Sequence, residues 1–326
     1  MTGGAAGRAD VWAAVRATVC AAVCALAWLF GLATASLRAD SYVLPAGSDD
    51  LVGWHGVTIA RQEDTLADIA RTFKLGHEEI RLANPDVDFW LPGAGARVAL
   101  PTRFVLPRVE HKGIVLNVPE MRLYFFPAAR PNEDPVVVTY PVSIGRMDWT
   151  TPLGRHRITA KVRNPSWTPP ASIIEEARLA GEPLPKFMPP GPDNPLGAFA
   201  LRLDNPSYLI HGTDRPYGVG MRVTHGCIRM YPEDIEQLFP EVAVGTPVNI
   251  VNQPVKIGWL GDTLFMEVHP PLEEDPVGED ELRAVALALV EEADRERPVE
   301  LLGRDLLRVL REKRGIPVAI SRGTEK

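Results

Sequence analysis

The segment His211-Gly212-Thr213, followed thirteen positions after His211 by Thr224-His225-Gly226-Cys227-Ile228-Arg229, groups a thiol, two imidazoles and a guanidinium. A free thiol has a pKa of about 8.5 and only its thiolate attacks a carbonyl, so a nucleophilic cysteine needs a base or a local positive field. Histidine is the usual base. His225 lies two residues from Cys227, and residues so spaced on an extended strand point the same way, although a turn through Gly226 leaves that geometry open. His211 ends a strand pattern, and a turn through Arg215-Pro216-Tyr217-Gly218 is expected to fold it onto Cys227. Amides around Gly226 and Cys227 would then line a pocket for a tetrahedral oxyanion. Pro232 suits the first position of a helix running through Phe239, which puts Cys227 just ahead of a helix N-terminus, a setting that favours thiolate. On residue chemistry alone three readings stand: a thiol acyl-transfer site, a buried structural cysteine, or a His/His/Cys metal site. The spacing matches none of the common zinc-ligand patterns.

The chain that must position these groups has 326 residues, enough for about two domains. Its 45% apolar and 24% charged residues describe a globular protein and exclude a disordered one. A net charge of −7 argues against nucleic acid as a partner, because phosphate recognition needs a concentrated basic face. Of three cysteines, Cys20 and Cys24 fall in one apolar N-terminal stretch. Arg8 and Arg16 precede an uncharged run from Ala17 to Leu32, and Ala33-Thr34-Ala35 supplies small residues for cleavage before Ser36. The run falls short of the roughly 20 residues of a spanning helix, so 1–35 reads as an export signal, with an uncleaved anchor as the alternative. Its removal would leave Cys227 as a lone thiol, with neither a disulfide framework nor a four-cysteine zinc site.

Residues 36–55 read as a linker, small and polar without periodicity. From 56 to 102 the pattern is strand, helix, helix, strand. Asp64 is expected to cap a helix whose face carries Leu66, Ile69, Ala70 and Phe73, a second helix runs from His77 to Ala83 up to Asn84-Pro85, and Val98 to Leu100 returns as a strand. From 105 to 255 the texture is β: runs rich in β-branched and aromatic residues alternate with turn residues. Ten of the 31 prolines fall between Pro152 and Pro195, which suggests one long connection of the kind that serves as a lid. Residues 256–326 read as a strand (Thr263 to Val268) and two amphipathic helices. Leu282, Val285, Ala286 and Leu289 share one helical face, and Leu302, Leu306, Val309 and Leu310 another, for packing on the β domain or a partner.

Two resemblances sharpen this picture. Asp64-Thr65-Leu66, Ile69-Ala70, Ile80, Asn84-Pro85, Leu91-Pro92-Gly93 and Leu100-Pro101 resemble a LysM module, which binds wall glycans, although Glu63 stands where many such modules have glycine. The His211 and Thr-His-Gly-Cys-Ile-Arg pattern, with Thr151-Pro152-Leu153-Gly154, Pro192-Asp193-Asn194-Pro195-Leu196-Gly197 and Ile210-His211-Gly212-Thr213, resembles the L,D-transpeptidases with a YkuD-type catalytic domain. His156 stands where that family usually has an aromatic. The resemblance implies a mainly β fold: a YkuD-like β-sandwich preceded by a small α+β LysM-like module and followed by short helices.

It also implies roles. Cys227 would be the nucleophile and His211 the general base, with the Gly212 carbonyl orienting the imidazole. His225 would support the loop, Gly226 and Cys227 would supply oxyanion amides, and Arg229 and Thr224 would bind substrate. Tyr208, three residues before His211, is expected in the core. No cofactor or metal is required. The implied substrate is peptidoglycan: Cys227 attacks the bond between the third-position diamino acid and D-Ala of a stem peptide. The resulting thioester is resolved by another stem's amine or by a lysine of an outer-membrane lipoprotein. Hydrolysis by the same thioester, or a non-catalytic wall-binding role, are the alternatives. The implied location is the periplasm, and the proline-rich segment 165–195 would be a cap that keeps water from the thioester.

Overall fold

The computed structural model describes residues 40–44, 49–129, 132–274 and 277–323; the expected export signal lies outside them. The supposed linker 36–55 holds two strands, β1 (Asp40–Val43) and β2 (Leu51–Gly53). A βααβ unit follows: β3 (Gly56–Ile59), α1 (Leu66–Thr72), α2 (His77–Ala83) and β4 (Arg97–Leu100), and then β5 (Arg103–Val105). The central region runs β6 (Gly113–Asn117), β7 (Arg122–Phe126), β8 (Val136–Gly145), β9 (Gly154–Arg163), α3 (Ala171–Leu179), β10 (Phe199–Leu203) and β11 (Leu209–His211). It ends with β12 (Arg222–Thr224), β13 (Ile228–Met230), α4 (Pro232–Glu241) and β14 (Pro247–Val251). The remainder holds β15 (Val255–Leu260), β16 (Thr263–Val268), α5 (Glu279–Glu296), β17 (Glu300–Leu301), α6 (Gly303–Glu312), β18 (Val318–Ala319) and β19 (Ser321–Arg322).

The protein is mainly β. Its large sheet runs β1-β8-β13-β11-β10-β9-β14-β6-β7, and β7 pairs back onto β8. The sheet therefore closes on itself around one apolar core, to which Leu116, Phe125, Val142, Ile158, Leu201, Ile210, Ile228 and Ile250 each contribute from a different strand. Closure removes most of the unpaired strand edges that an open sheet would expose. β1 joins through backbone pairing, Ser41 opposite Val138 and Tyr42 opposite Val137. Tyr42 and Leu44 also pack against the core, but so short an alternation among small polar residues reads in sequence as a linker.

Within the βααβ unit the cap of α1 is Thr65, not Asp64. Thr65 Oγ1 accepts from the Asp68 amide (3.1 Å) while the Asp68 carboxylate accepts from the Thr65 amide (3.1 Å), a reciprocal capping box. Asp64 instead accepts from the Arg61 amide at 2.8 Å, closing the preceding turn. Leu66, Ile69, Ala70, Leu75, Ile80 and Val98 bury a small core of their own.

This unit is joined to the closed sheet by buried ion pairs. Arg122 on β7 donates to both carboxylate oxygens of Glu79 (2.6 and 2.8 Å), to Thr139 and to the Lys74 carbonyl. Glu79 also accepts from the Gly76 amide at the start of α2. Lys74 Nζ donates to Asp234 Oδ1 at 2.6 Å, and Arg71 forks onto Glu233, so the first turn of α4 is fastened to α1 and the turn after it. At the same seam Gly220 (φ +87°) lies against Gly76 so closely that a Cβ on Gly220 would come within 2.4 Å of the Gly76 Cα, and the His77 and Glu78 amides donate to the Val219 and Gly220 carbonyls.

The C-terminal region is more than one strand and two helices. β15, β16 and β18 form a three-stranded sheet on which α5 and α6 pack, with Leu282, Ala286, Val290, Leu306 and Val309 buried against Trp259, Leu264 and Met266. Val285, expected on the inner face of α5, is exposed, and Val290 takes the inner position instead. Among the described residues no helix is long and apolar enough to cross a membrane.

Replacing Arg122 by Met leaves Glu79 buried without a counter-charge, and removing one partner of such a pair costs about 3–5 kcal/mol. Urea unfolding should register a loss of that size for Arg122→Met and a smaller one for the Glu79→Gln/Arg122→Met double variant. Equal losses would show that the pair is not coupled.

Candidate active site

The strands that carry His211 and Cys227 lie side by side. β11 and β13 pair in parallel, with Ile210 opposite Ile228 and His211 opposite Arg229. Alternate side chains of a strand face opposite ways. Ile210, Ile228 and Met230 enter the core, while His211 and Arg229 share the other face, and Cys227 immediately precedes β13. A parallel pair needs a crossover rather than a tight turn. The segment between them accordingly runs through a 3₁₀ turn (Pro216–Gly218) and β12, which pairs with β8. The turn through 215–218 is one part of that longer path.

The cysteine loop is held from several sides. Gly226 has φ +95°, and a Cβ there would stand 2.5 Å from the Tyr208 ring and 3.2 Å from the Thr150 carbonyl. Thr151 Oγ1 donates to the Gly226 carbonyl (3.0 Å) and accepts from the Gly145 amide (2.9 Å). Thr224, expected at the substrate, is buried, and its hydroxyl donates to the Cys227 carbonyl at 2.6 Å. That bond commits the Thr224 side chain to closing the turn. Tyr208 lies in the turn before β11 and is half-buried: its ring packs on the core and also against Gly226, so it forms a wall of the cysteine loop as well as part of the core.

His211 is buried, and its Nδ1 lies 2.6 Å from the Gly212 carbonyl. A carbonyl only accepts, so Nδ1 carries the proton and the neutral ring presents a bare Nε2. Burial, and then the charge of Arg229, hold the His211 pKa down at about 3. Cys227 is half-buried, its thiol lies 3.7 Å from the Ser207 carbonyl, and burial raises its pKa. The resting pair is therefore thiol and neutral imidazole. The expected help from a helix N-terminus does not operate here: β13 separates Cys227 from α4, whose first turn is occupied by Glu233, Asp234 and their cationic partners.

Arg229 is half-buried, and its Nε is buried with no hydrogen-bond partner; among the described residues it has no ion-pair partner. His225 faces away from this pair, toward α3. Its Nε2 lies 2.9 Å from Glu176 Oε2, to which Arg146 also donates at 2.7 Å, and Trp149 meets its ring edge-on. Nothing in the sequence marks Glu176, which lies 49 residues before His225. His156 pairs with Asp204 (2.9 Å).

Metal-type donors gather elsewhere. Glu120, Glu267 and His269 present ligand atoms within 4.8 Å of one another, but Lys256 Nζ sits 2.8 Å from both carboxylates. Burial opposes ionisation of Glu267, yet Lys256 and His269 hold its carboxyl below the usual carboxylate range. The lysine supplies the positive charge that a metal would bring.

The site thus sets a thiol and an oriented imidazole toward one face of a closed β fold. Residues 111–250 match the YkuD L,D-transpeptidase catalytic domain. The chain is 40% identical over 238 residues to the probable L,D-transpeptidase YbiS of Escherichia coli K12, covering 72% of this chain and 76% of that one. It is 38% identical over 243 residues to YcfS of the same strain, covering 73% and 75%. With ErfK/SrfK, also from that strain, it shares 36% identity over 319 residues, covering 93% and 97%. The chain belongs to the L,D-transpeptidase family with a YkuD catalytic domain.

Two outcomes test the geometry. Gly226→Ala forces a side chain toward Tyr208 at positive φ and moves the thiol, and a misplacement of about 1 Å costs on the order of 100-fold in kcat/KM. Far-UV circular dichroism should stay unchanged; wild-type turnover would refute the constraint. Alkylation of Cys227 by iodoacetamide should keep rising with pH up to at least about 9, because burial disfavours the thiolate. A plateau near neutrality would instead demonstrate a resting ion pair.

Proposed function

We propose that Cys227 is the nucleophile and His211 the general base of a two-step acyl transfer on peptidoglycan stem peptides. The observation that carries this reading is the parallel register of β11 and β13. It sets an imidazole with a bare Nε2 on the face where the thiol emerges.

In the first step Nε2 takes the thiol proton as sulfur attacks the carbonyl between the third-position diamino acid and D-Ala. Negative charge moves to the carbonyl oxygen, where the Gly226 and Cys227 amides supply the donors; among the described residues neither amide has another acceptor. An imidazolium buried beside Arg229 is unfavourable at rest and becomes tolerable only alongside that new negative charge. The C–N bond then breaks, the imidazolium gives its proton to the departing amine, and D-Ala leaves a thioester on Cys227.

In the second step an acceptor amine gives a proton to His211 and attacks the thioester. The C–S bond breaks and the sulfur recovers the proton. A stem amine yields a 3→3 crosslink, a lipoprotein lysine yields a tethered protein, and water yields a trimmed stem. Arg229, whose buried Nε has no hydrogen-bond partner among the described residues, suits a carboxylate of the stem peptide. The Gly212 carbonyl takes the orienting place that a carboxylate holds in protease triads. This chemistry belongs to the periplasm.

Intact-mass spectrometry with a tetrapeptide donor checks the reading. Wild type should gain the acyl mass less D-Ala on the Cys227 peptide, and Cys227→Ala should gain none. An unmodified wild-type Cys227 under turnover would refute the thioester.

A further inference from the structure

The segment between β9 and β10 is secured at its base and bare at its tip. Asn194 is buried and donates to the Pro165 and Pro189 carbonyls (3.0 Å each), while Trp167 and Met188 exchange backbone hydrogen bonds at 2.9 and 2.7 Å. Beyond that bridge none of residues 171–187, the helix α3 included, has a buried side chain, and Leu179 and Phe187 are exposed. With Ile173, Ile174 and Ala177 only half-buried, hydrophobic burial alone holds α3 weakly. Among the described residues, Glu176 alone carries side-chain hydrogen bonds from 171–187 to the rest of the protein. Its Oε2 accepts from Arg146 Nη2 at 2.7 Å and from His225 Nε2 at 2.9 Å.

One donor lies in the cysteine loop and the other, just after β8, is hydrogen-bonded to it. His225 is two residues before Cys227, and the Arg146 amide donates to the Thr224 carbonyl at 3.1 Å. One carboxylate thus joins the tip of the segment to the loop that presents the thiol. It also holds the His225 ring, whose other contact is the edge-on Trp149 ring at 5.2 Å.

We propose that Glu176 is a positioning residue that latches α3 to the loop presenting Cys227 and orients His225, so that the acyl-enzyme reacts with an amine in preference to water. This rests on the thioester reading above. Water reaches an open thioester at its bulk concentration, so the partition depends on keeping the segment closed until the acceptor arrives. Glu176 is 40% exposed at its side chain, so the fold does not depend on it. The interaction acts through geometry and charge at the surface of the site.

The test uses the full chain and two readouts. The first is the rate of iodoacetamide alkylation of Cys227, followed on its peptide by mass. The second is the ratio of aminolysis to hydrolysis of the acyl-enzyme formed from a tetrapeptide donor, with a second tetrapeptide as acceptor. Glu176→Ala should raise the alkylation rate about fivefold and lower the transfer ratio about tenfold, and Glu176→Gln, which keeps an acceptor oxygen but loses the charge, should fall between Ala and wild type. Arg178→Ala removes a pair internal to α3, Arg178 with Glu175, and should match wild type. A wild-type transfer ratio in Glu176→Ala overturns the latch whatever the alkylation rate does. An equal effect in Arg178→Ala overturns it too, since any loss of helix stability would then suffice. A wild type that never acquires an acyl group on Cys227 refutes the thioester reading instead, and an unchanged alkylation rate in Glu176→Ala then overturns the latch independently.

Discussion

The parallel pairing of β11 with β13 lays Ile210 beside Ile228 and His211 beside Arg229. The same register that buries two isoleucines brings an imidazole, a guanidinium and the approach of a thiol onto one face. Slipping it by one residue would turn the apolar side chains outward and carry the reactive ones into the core. The hydrophobic effect thus enforces the chemistry: the core will not accept the alternative register. It also bears on the proposed chemistry: a His211 so well buried does not rest as a cation, so in the proposed mechanism the proton moves only as charge appears on sulfur or oxygen.

A parallel pair is separated by a crossover, and the crossover here is not left free. Val219 and Gly220 accept from the first turn of α2, and the far end of the motif is held through Arg71–Glu233 and Lys74–Asp234. The βααβ unit therefore grips the chain on both sides of Thr224-Arg229. Its residues resemble a glycan-binding module, but in this fold the unit is also part of the frame of the site. The buried pair Arg122–Glu79 fixes it to the sheet, with Glu79 serving at once as helix cap and counter-ion. Buried pairs of this kind contribute little net stability when intact and cost a great deal when broken, so they enforce one arrangement of the two parts.

Much of the fold was legible because periodicity records burial. The apolar face Leu66, Ile69, Ala70 of α1 and the β-branched runs of the central sheet are local signals, and helices and strands formed where those signals stand. Where a strand is as short as β1, the alternation of Tyr42 and Leu44 against the core is too brief to stand out in the sequence. The proline-rich connection is not structureless, since α3 occupies residues between its prolines, and the C-terminal strand acquired two partners through long-range pairing. Thr65 displaced Asp64 as cap because Asp68, three residues on, can complete a reciprocal box only with Thr65.

The sequence alone determined the reactive inventory: one thiol at Cys227 beside a motif of two histidines and an arginine, a glycine where the loop must turn, and the family to which that motif points. Tertiary structure decided what each group does. It committed Thr224 to the Cys227 carbonyl, turned His225 toward Glu176, left Arg229 Nε without a hydrogen-bond partner among the described residues and kept the thiol and imidazole neutral. The physical reason is that identity and spacing are local properties of the chain. Burial, hydrogen-bond partners and protonation depend on neighbours brought in by the fold, as far as 49 residues along the chain for His225 and Glu176, and that arrangement exists only once the sheet has closed.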